Sequence, residues 1–185
     1  MAHSFSESEQ AAVYRAIYER RDMRHFVSTP VDPATLRRLI GAAHHAPSVG
    51  YMQPWRILRI TDPALRETLY DEVERERLKT ADALGKRRDE FMRLKVEGMR
   101  QCAEILVAGL MDGRDGHVFG RRTMPEMDLA SVACAIQNMW LAARAEGLGL
   151  GWVSIFDPDA GRDIRRMPAG AKPVAILCLG HVEQF

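Results

Sequence analysis

Asp-Pro dipeptides mark the start of a helix at three points of this sequence, Asp32-Pro33, Asp62-Pro63 and Asp157-Pro158. In each pair the aspartate can accept a hydrogen bond as the N-cap. The proline suits the first helical position, where an N–H group would have no helical partner. The segments Ser6–Glu9 and Thr123–Glu126 read as capping boxes and predict two further helices. The chain is therefore divided into many short elements.

Four segments between these helices are predicted to be strands: Trp55–Ile60, Glu104–Leu110, Leu150–Ile155 and Pro173–Leu179. The second and fourth are almost wholly apolar, which is typical of strands buried on both faces. The resulting order is helices, strand, long helical insert, strand, long helix, strand, helix and strand. It predicts a single α+β domain over residues 1–185 with a mixed sheet.

Charge and composition narrow the class of protein. The formal net charge of +1 gives no basic surplus, so we expect no nucleic-acid partner. The longest uncharged run, Leu129–Ala143, falls short of the roughly 20 apolar residues that a membrane-spanning helix needs. The N-terminus has no apolar run like that of a signal peptide, and we expect a cytoplasmic protein without membrane contact.

Cys102, Cys134 and Cys178 are far apart in the sequence and odd in number. This pattern fits reduced, buried cysteines better than a disulfide framework. No set of His, Cys, Asp and Glu residues has the spacing of metal ligands, so no metal site is expected.

The segment Arg20-Arg21-Asp22-Met23-Arg24 places a carboxylate among three arginines. Cations at the end of the first helix are favoured by the helix dipole, and such residues are usually solvated. The alternative is a fork-shaped site for a phosphate or an anionic ring. Asp22 is unexpected under either interpretation, and we expect the flanking guanidinium groups to favour its ionised form.

A turn-rich loop bounded by prolines carries Ser48, Gly50, Tyr51, Met52 and Gln53. It is either a plain connection or a binding loop. Its hydroxyl, amide and aromatic groups suit a flat heteroaromatic ligand, through hydrogen bonds to the ring edge and contacts with the ring face.

The glycine-rich run Gly147–Ser154 is not a dinucleotide-binding fingerprint. Its spacing differs from G-x-G-x-x-G, and it leads from a helix into a strand, the reverse of the Rossmann order. Gly147 is interpreted as a helix stop. Ser154, at the strand end, could face a ligand, although a lone serine there is more often structural.

These motifs together and in this order resemble the nitroreductase superfamily of FMN enzymes. Its marks are an early R-x-S-x-R/K segment, a P-S-x-x-x-x-Q-P-W loop and a late G-L-G strand. Here they stand at 20–24, 47–55 and 147–149, and the resemblance covers nearly the whole chain. It implies a three-layer fold with a central, mainly antiparallel sheet, and a homodimer with FMN at the subunit interface.

One branch, the 5,6-dimethylbenzimidazole synthases or BluB family, is resembled more closely by the stretches HHAPSVGYMQPWR, RLKVEGMRQCAE, HVFGRRTMPEMDLASVACAIQNMWLAARAEGLGLGWVS and FDP. That branch has an aspartate, here Asp22, where ordinary nitroreductases have serine. The resemblance implies that reduced FMN is consumed with dioxygen. The products would be 5,6-dimethylbenzimidazole, the lower ligand of cobalamin, and erythrose 4-phosphate.

The same resemblance implies roles for individual residues. Asp22 and Ser154 would be catalytic, and Arg20, Arg21 and Arg24 would hold the polar edge and phosphate tail of the flavin, next to Met23. The ring would be bordered by the loop residues Ser48, Gly50, Tyr51, Met52 and Gln53. A separate flavin reductase would supply reduced FMN. Independently of the resemblance, the insert from Asp62 to Gln101 is long enough to form a lid, within residues 66–100, that would exclude water and a nicotinamide.

Two other functions remain open from the sequence. One is an NAD(P)H-dependent FMN nitroreductase or flavin reductase, against which Asp22 and the charged insert at 62–101 argue. The other is a catalytically inactive flavin-binding protein. Family members usually continue beyond the segment Gly180–Phe185 with a tail whose arginine helps to hold the phosphate, and without it we expect weaker phosphate binding.

Overall fold

A computed structural model describes residues 4–93, 98–164 and 166–185. The helices are α1 Glu7–Glu19, α2 Pro33–His44, α3 Pro63–Ala83, α4 Arg88–Met92, α5 Gly98–Gln101, α6 Met127–Ala145 and α7 Pro158–Ile164. The strands are β1 Trp55–Ile60, β2 Glu104–Leu110, β3 Leu148–Val153 and β4 Lys172–His181. The predicted order of helices and strands is confirmed.

Side chains cap most of the helices as the sequence predicts. Ser6 accepts from the N–H of Glu9 while the Glu9 carboxylate accepts from the N–H of Ser6. Asp32, Asp62 and Asp157 each accept a main-chain N–H from two or three residues ahead. These acceptors satisfy N–H groups that have no partner inside the helix.

The predicted capping box at Thr123–Glu126 is wrong. Helix α6 begins at Met127 and has no capping side chain. The N–H of Met127 donates instead to the carbonyl of Met124, and the N–H of Asp128 donates to that of Pro125. Main-chain turns thus supply the acceptors at the start of α6, four residues beyond the predicted cap.

The four strands form one sheet in the order β1-β2-β4-β3, and every neighbouring pair is antiparallel. The parallel part of the expected mixed sheet is a single bridge between Asp22 and Leu150. That bridge lies on β3, which is an edge strand of the sheet.

Both faces of the sheet are covered, so the α+β fold has three layers as expected. Along β2, Leu106 and Ala108 join the core formed with α2 and α6, while Ile105 and Val107 join the core formed with α3 and α5. This alternation follows from the two-residue period of a strand. The described part of the chain contains no helix with the length and apolarity to cross a bilayer.

The expectation that all three cysteines are buried is wrong for Cys134. Cys102 and Cys178 are buried, but Cys134 is exposed on α6. The buried side of α6 carries Val132, Ala135 and Ile136, and a residue at position 134 points away from it.

Candidate active site

The segment that follows α1 runs along the free edge of β3. Asp22 forms its parallel bridge with Leu150, and the N–H of Met23 donates to the Leu150 carbonyl at 3.1 Å. An edge strand has unpaired N–H and C=O groups on its outer side, and this segment uses them. Asp22 is thereby fixed against the sheet.

The glycine run of β3 allows this close approach. A Cβ atom on Gly151 would overlap the carbonyl oxygen of Met23, and one on Gly149 would lie 2.9 Å from Met23 Cγ. The two glycines therefore make room for the main chain and side chain of Met23. This packing role agrees with the rejection of a dinucleotide-binding fingerprint.

The carboxylate of Asp22 is held at both oxygens. Oδ1 accepts the main-chain N–H of Trp152 at 2.8 Å, and Oδ2 accepts from Arg24 Nη2 at 2.5 Å. The same Arg24 nitrogen donates to the Trp152 carbonyl at 3.0 Å. The Asp22 side chain nevertheless stays 41% exposed. A carboxylate has about four acceptor positions, so acceptor capacity remains towards solvent.

Buried behind this ion pair are the thiols of Cys102 and Cys178. The fold brings them together although they are distant in the sequence. A hydrogen bond that the Cys178 thiol donates to Cys102, together with burial, raises the pKa of Cys178 well above its ordinary value. Cys178 is therefore a neutral thiol at pH 7.

Arg20 and Arg21 are placed differently from Arg24. The Arg20 guanidinium lies over the Trp140 ring, 4.5 Å from its centroid, while the Trp140 indole N–H donates to the Arg21 carbonyl at 3.2 Å. The exposed Arg21 side chain donates to the carbonyls of Tyr18 and Arg20. It also lines a cavity of about 550 Å³ together with Met23 and the C-terminal residues.

Ser154 is exposed directly after β3, which ends at Val153, two residues earlier than predicted. It lines a cavity of about 570 Å³. The aromatic side chains of Trp152 and Phe156 form part of its wall, and Lys172 adds a cation. Ser154 and Asp22 are thus connected through Trp152, whose side chain lines the cavity while its main chain holds the carboxylate.

The loop predicted to border a ring lies elsewhere, at the N-terminal end of α6. The N–H of Val49 donates to Ser131 Oγ at 3.0 Å, and the N–H of Gln53 donates to Ser48 Oγ at 3.0 Å. Gly50 has φ of 53°, and a Cβ atom there would overlap the Phe119 carbonyl. This packing explains why a glycine stands in the loop.

Two of the predicted ring contacts differ sharply in exposure. Tyr51 is 83% exposed, whereas Met52 is buried at 8%. Within the described ranges, no hydrogen bond or ion pair joins this loop to Asp22 or Ser154. One chain therefore brings Asp22, Arg24 and Ser154 to one region and the loop to another.

The arginines of the loop at 113–122 have a structural role. Arg114 donates to Asp128 Oδ2 at 2.8 Å, and Arg121 contacts the same oxygen at 3.3 Å. All three side chains are largely buried. Because both guanidinium groups are engaged with Asp128, neither Arg114 nor Arg121 is free to bind an anion.

Trp152 is the residue that sequence reasoning missed. It acts on Asp22 through its N–H and C=O groups, and no side-chain motif reports such a contact. Phe156 and Lys172, which line the cavity with Ser154, were missed as well. The only signal near them was the glycine run, which marks a close approach of backbone.

Comparison with known proteins shows the family of this chain. The model of the nitroreductase family matches residues 17–181. The chain belongs to the nitroreductase family. A solved member of this fold, iodotyrosine deiodinase bound to FMN and 3-iodo-L-tyrosine, has a TM-score of 0.78 over 94% of this chain and 91% of that one. The two are 20% identical, which establishes the shared fold.

Two nitroreductase-family relatives are much more similar in sequence. The 5,6-dimethylbenzimidazole synthase of Rhodospirillum rubrum is 44% identical over 164 residues, 87% of this chain and 77% of the relative. The enzyme of the same name from Rhodobacter capsulatus is 37% identical over 182 residues, 97% of this chain and 88% of the relative. The resemblance to this branch, read from the sequence, is confirmed.

Proposed function

We propose that this nitroreductase-family chain is a 5,6-dimethylbenzimidazole synthase, which consumes reduced FMN and dioxygen and also forms erythrose 4-phosphate. The observation that carries the proposal is Asp22, an oriented carboxylate held by the main chain of Trp152, whose side chain lines the cavity of Ser154. The two synthase relatives, each matched over most of both chains, support the same reading.

The residues of this region fit a flavin. A tricyclic ring needs flat apolar surfaces, a few polar groups at its edge and cations for its phosphate. Trp152 and Phe156 offer aromatic surface in a cavity of about 570 Å³, and Ser154 offers a hydroxyl. Arg20 and Arg21 offer positive charge in the same segment of the chain as Asp22. Reduced FMN supplies both the electrons for the reaction with dioxygen and the carbon skeleton of the product.

Asp22 is the proton-transfer group in this proposal. Breaking carbon–carbon bonds requires repeated proton movement at fixed atoms, and an oriented carboxylate can accept and return protons. Each oxygen of Asp22 already accepts one hydrogen bond, which fixes the direction of its free acceptor positions. Ser154 contributes a donor and acceptor at the wall of the cavity.

A homodimer completes the site in this proposal. The loop at 48–53 does not reach Asp22 within the chain, so it serves the site of a second copy. Exposed apolar residues support such an interface: Tyr51 is 83% and Phe119 84% exposed beside the loop, and α1 buries none of its residues. Apolar patches on a soluble chain commonly mark interaction surfaces.

In this proposal, the later part of the charged insert at 62–101 acts as a lid. Leu69 and Val73 are fully buried and anchor the first half of α3 to the sheet, whereas α4 buries no residue. Within the expected range 66–100, any closing movement therefore belongs to residues 84–93, none of which is buried; residues 94–97 lie outside the described residues. Closure would exclude water from the reaction and leave no room for a nicotinamide. A separate flavin reductase would then supply reduced FMN.

The proposal is tested by mixing the protein with chemically reduced FMN and air, and measuring 5,6-dimethylbenzimidazole by mass spectrometry. We expect product without any nicotinamide. Intact reoxidised FMN, combined with rapid turnover of NAD(P)H and a nitroaromatic, would replace the proposal with a nitroreductase. FMN binding without either reaction would indicate a flavin-binding protein.

A further inference from the structure

We propose that Arg24 is a positioning residue for the carboxylate of Asp22, rather than a ligand of the flavin phosphate. This inference rests on the proposed function, because it concerns the group that is given the proton-transfer role there. The sequence resemblance places Arg24 with Arg20 and Arg21 at the polar edge of the flavin. In the folded chain, Arg24 makes different contacts from Arg20 and Arg21.

Arg24, Asp22 and Trp152 form a closed set of three hydrogen bonds. Arg24 Nη2 donates to Asp22 Oδ2 at 2.5 Å and to the Trp152 carbonyl at 3.0 Å, while the Trp152 N–H donates to Asp22 Oδ1 at 2.8 Å. Both main-chain groups of Trp152 thus point to the free edge of β3. The carboxylate cannot rotate without breaking two of these bonds.

The guanidinium of Arg24 is packed against the sheet. A Cβ atom added to Gly151 would lie 3.4 Å from Arg24 Nη1, so the group covers a point of β3 that carries no side chain. On another side, Gly98 of α5 approaches so closely that its Cβ would lie 2.6 Å from the Arg24 carbonyl. The Arg24 side chain is 35% exposed. Turning outward to a phosphate would break its contacts with both Asp22 and Trp152.

The Arg21 guanidinium, unlike that of Arg24, is not paired with a carboxylate in the described part of the chain. It contacts only main-chain carbonyls there, those of Tyr18 and Arg20. It is exposed and lines the cavity of about 550 Å³. Its charge is available to an anion, whereas that of Arg24 is paired with Asp22.

Two matched variants separate the roles by steady-state kinetics with reduced FMN. We expect Arg24→Gln to lower kcat by about 10-fold or more, with KM for reduced FMN changed by less than about 3-fold, because orientation of the proton-transfer group is lost. We expect Arg21→Gln to raise KM by about 5-fold or more with little change in kcat, because it weakens anion binding. A higher KM with unchanged kcat in Arg24→Gln would overturn the proposal.

A second measurement does not depend on activity. Protein labelled with ¹⁵N-tryptophan shows three main-chain amides, those of Trp55, Trp140 and Trp152. We expect the Trp152 amide to exchange its hydrogen about 10-fold faster in Arg24→Gln than in the wild type, because the Asp22 acceptor becomes mobile. The amide of Trp140, inside α6, should be unchanged.

The two measurements separate the failure of this inference from failure of the proposed function. Unchanged exchange at Trp152, or equal acceleration at Trp140, overturns the positioning role even if the wild type makes product. Selective acceleration at Trp152 supports it even if the wild type forms no 5,6-dimethylbenzimidazole, a result that would instead reject the synthase.

Discussion

The main-chain N–H of Trp152 donates a hydrogen bond of 2.8 Å to Asp22 Oδ1, across 130 positions of the sequence. The carboxylate is therefore oriented by the edge of the central sheet and not only by a neighbouring side chain. Since β3 also ends beside Ser154, one strand places both proposed catalytic residues of this nitroreductase-family chain.

Replacing Asp22 by Asn tests its role as the proton-transfer group. Asparagine has nearly the same shape but cannot carry a proton between atoms in the same way. We expect product formation to fall by about 100-fold or more, with the dissociation constant for FMN changed by less than about 3-fold. Product would be measured by mass spectrometry and FMN binding by fluorescence quenching.

Asp112→Asn is the matched control, because Asp112 is exposed and does not line the cavity of Ser154. It should behave as the wild type in both measurements. Full product formation by Asp22→Asn would remove Asp22 from the mechanism.

Gly151→Ala tests the close approach of the segment 22–24 to β3. The added methyl group would overlap the Met23 carbonyl, and such overpacking costs about 1–3 kcal/mol of unfolding free energy. We expect a lower midpoint of chemical denaturation together with weakened FMN binding.

The control for this substitution is Gly41→Ala in α2, where an added Cβ has no atom within 4 Å. Alanine is the better helix former there, so stability should rise by about 0.5–1 kcal/mol. If Gly151→Ala were as stable as the wild type, the packing explanation of the glycine run would be wrong.

Ser154→Ala removes the hydroxyl at the wall of the cavity but keeps the main-chain N–H. If the hydroxyl takes part in the reaction, kcat should fall by about 10-fold or more, while the exposed control Ser28→Ala is neutral. An unchanged kcat would leave the main-chain N–H of residue 154 as the group that acts.

Glu146→Gln tests a contact between α2 and the end of α6. Arg38 donates to both oxygens of Glu146, at 2.7 and 2.9 Å, and this hydrogen bonding lowers the pKa of the carboxyl. A lowered folded-state pKa stabilises the fold above the unfolded value, about 4.3, and this contribution is lost as the pH falls through the folded value. The melting temperature of Glu146→Gln should therefore lie below that of the wild type at pH 7 and approach it near pH 3. An equal difference at both pH values would contradict this linkage.

Much of the fold could be predicted because its signals are local. The capping box at Ser6 and the three Asp-Pro pairs mark helix starts through bonds that span only a few residues, and all four appear in the structure. Thr123 failed because the helix begins four residues later, at Met127, where the carbonyls of Met124 and Pro125 accept the first N–H groups. A pattern of residue types does not reveal that competition.

The candidate site was less predictable because its organising contacts are long-range. Asp22 could be singled out as an unusual residue, and the sequence resemblance gave it a role. Its partner Trp152 acts through main-chain groups, which are the same in every non-proline residue and leave no mark on the sequence. The separation of Arg24 from Arg20 and Arg21 likewise depends on the direction of each side chain.

The central claim is that this chain breaks down the flavin and does not merely use it. The most direct measurement follows FMN labelled with ¹³C in its dimethylbenzene ring, reduced and mixed with the protein in air. We expect labelled 5,6-dimethylbenzimidazole to appear in about one-to-one proportion to the FMN lost. Full recovery of the label as intact oxidised FMN would contradict the account.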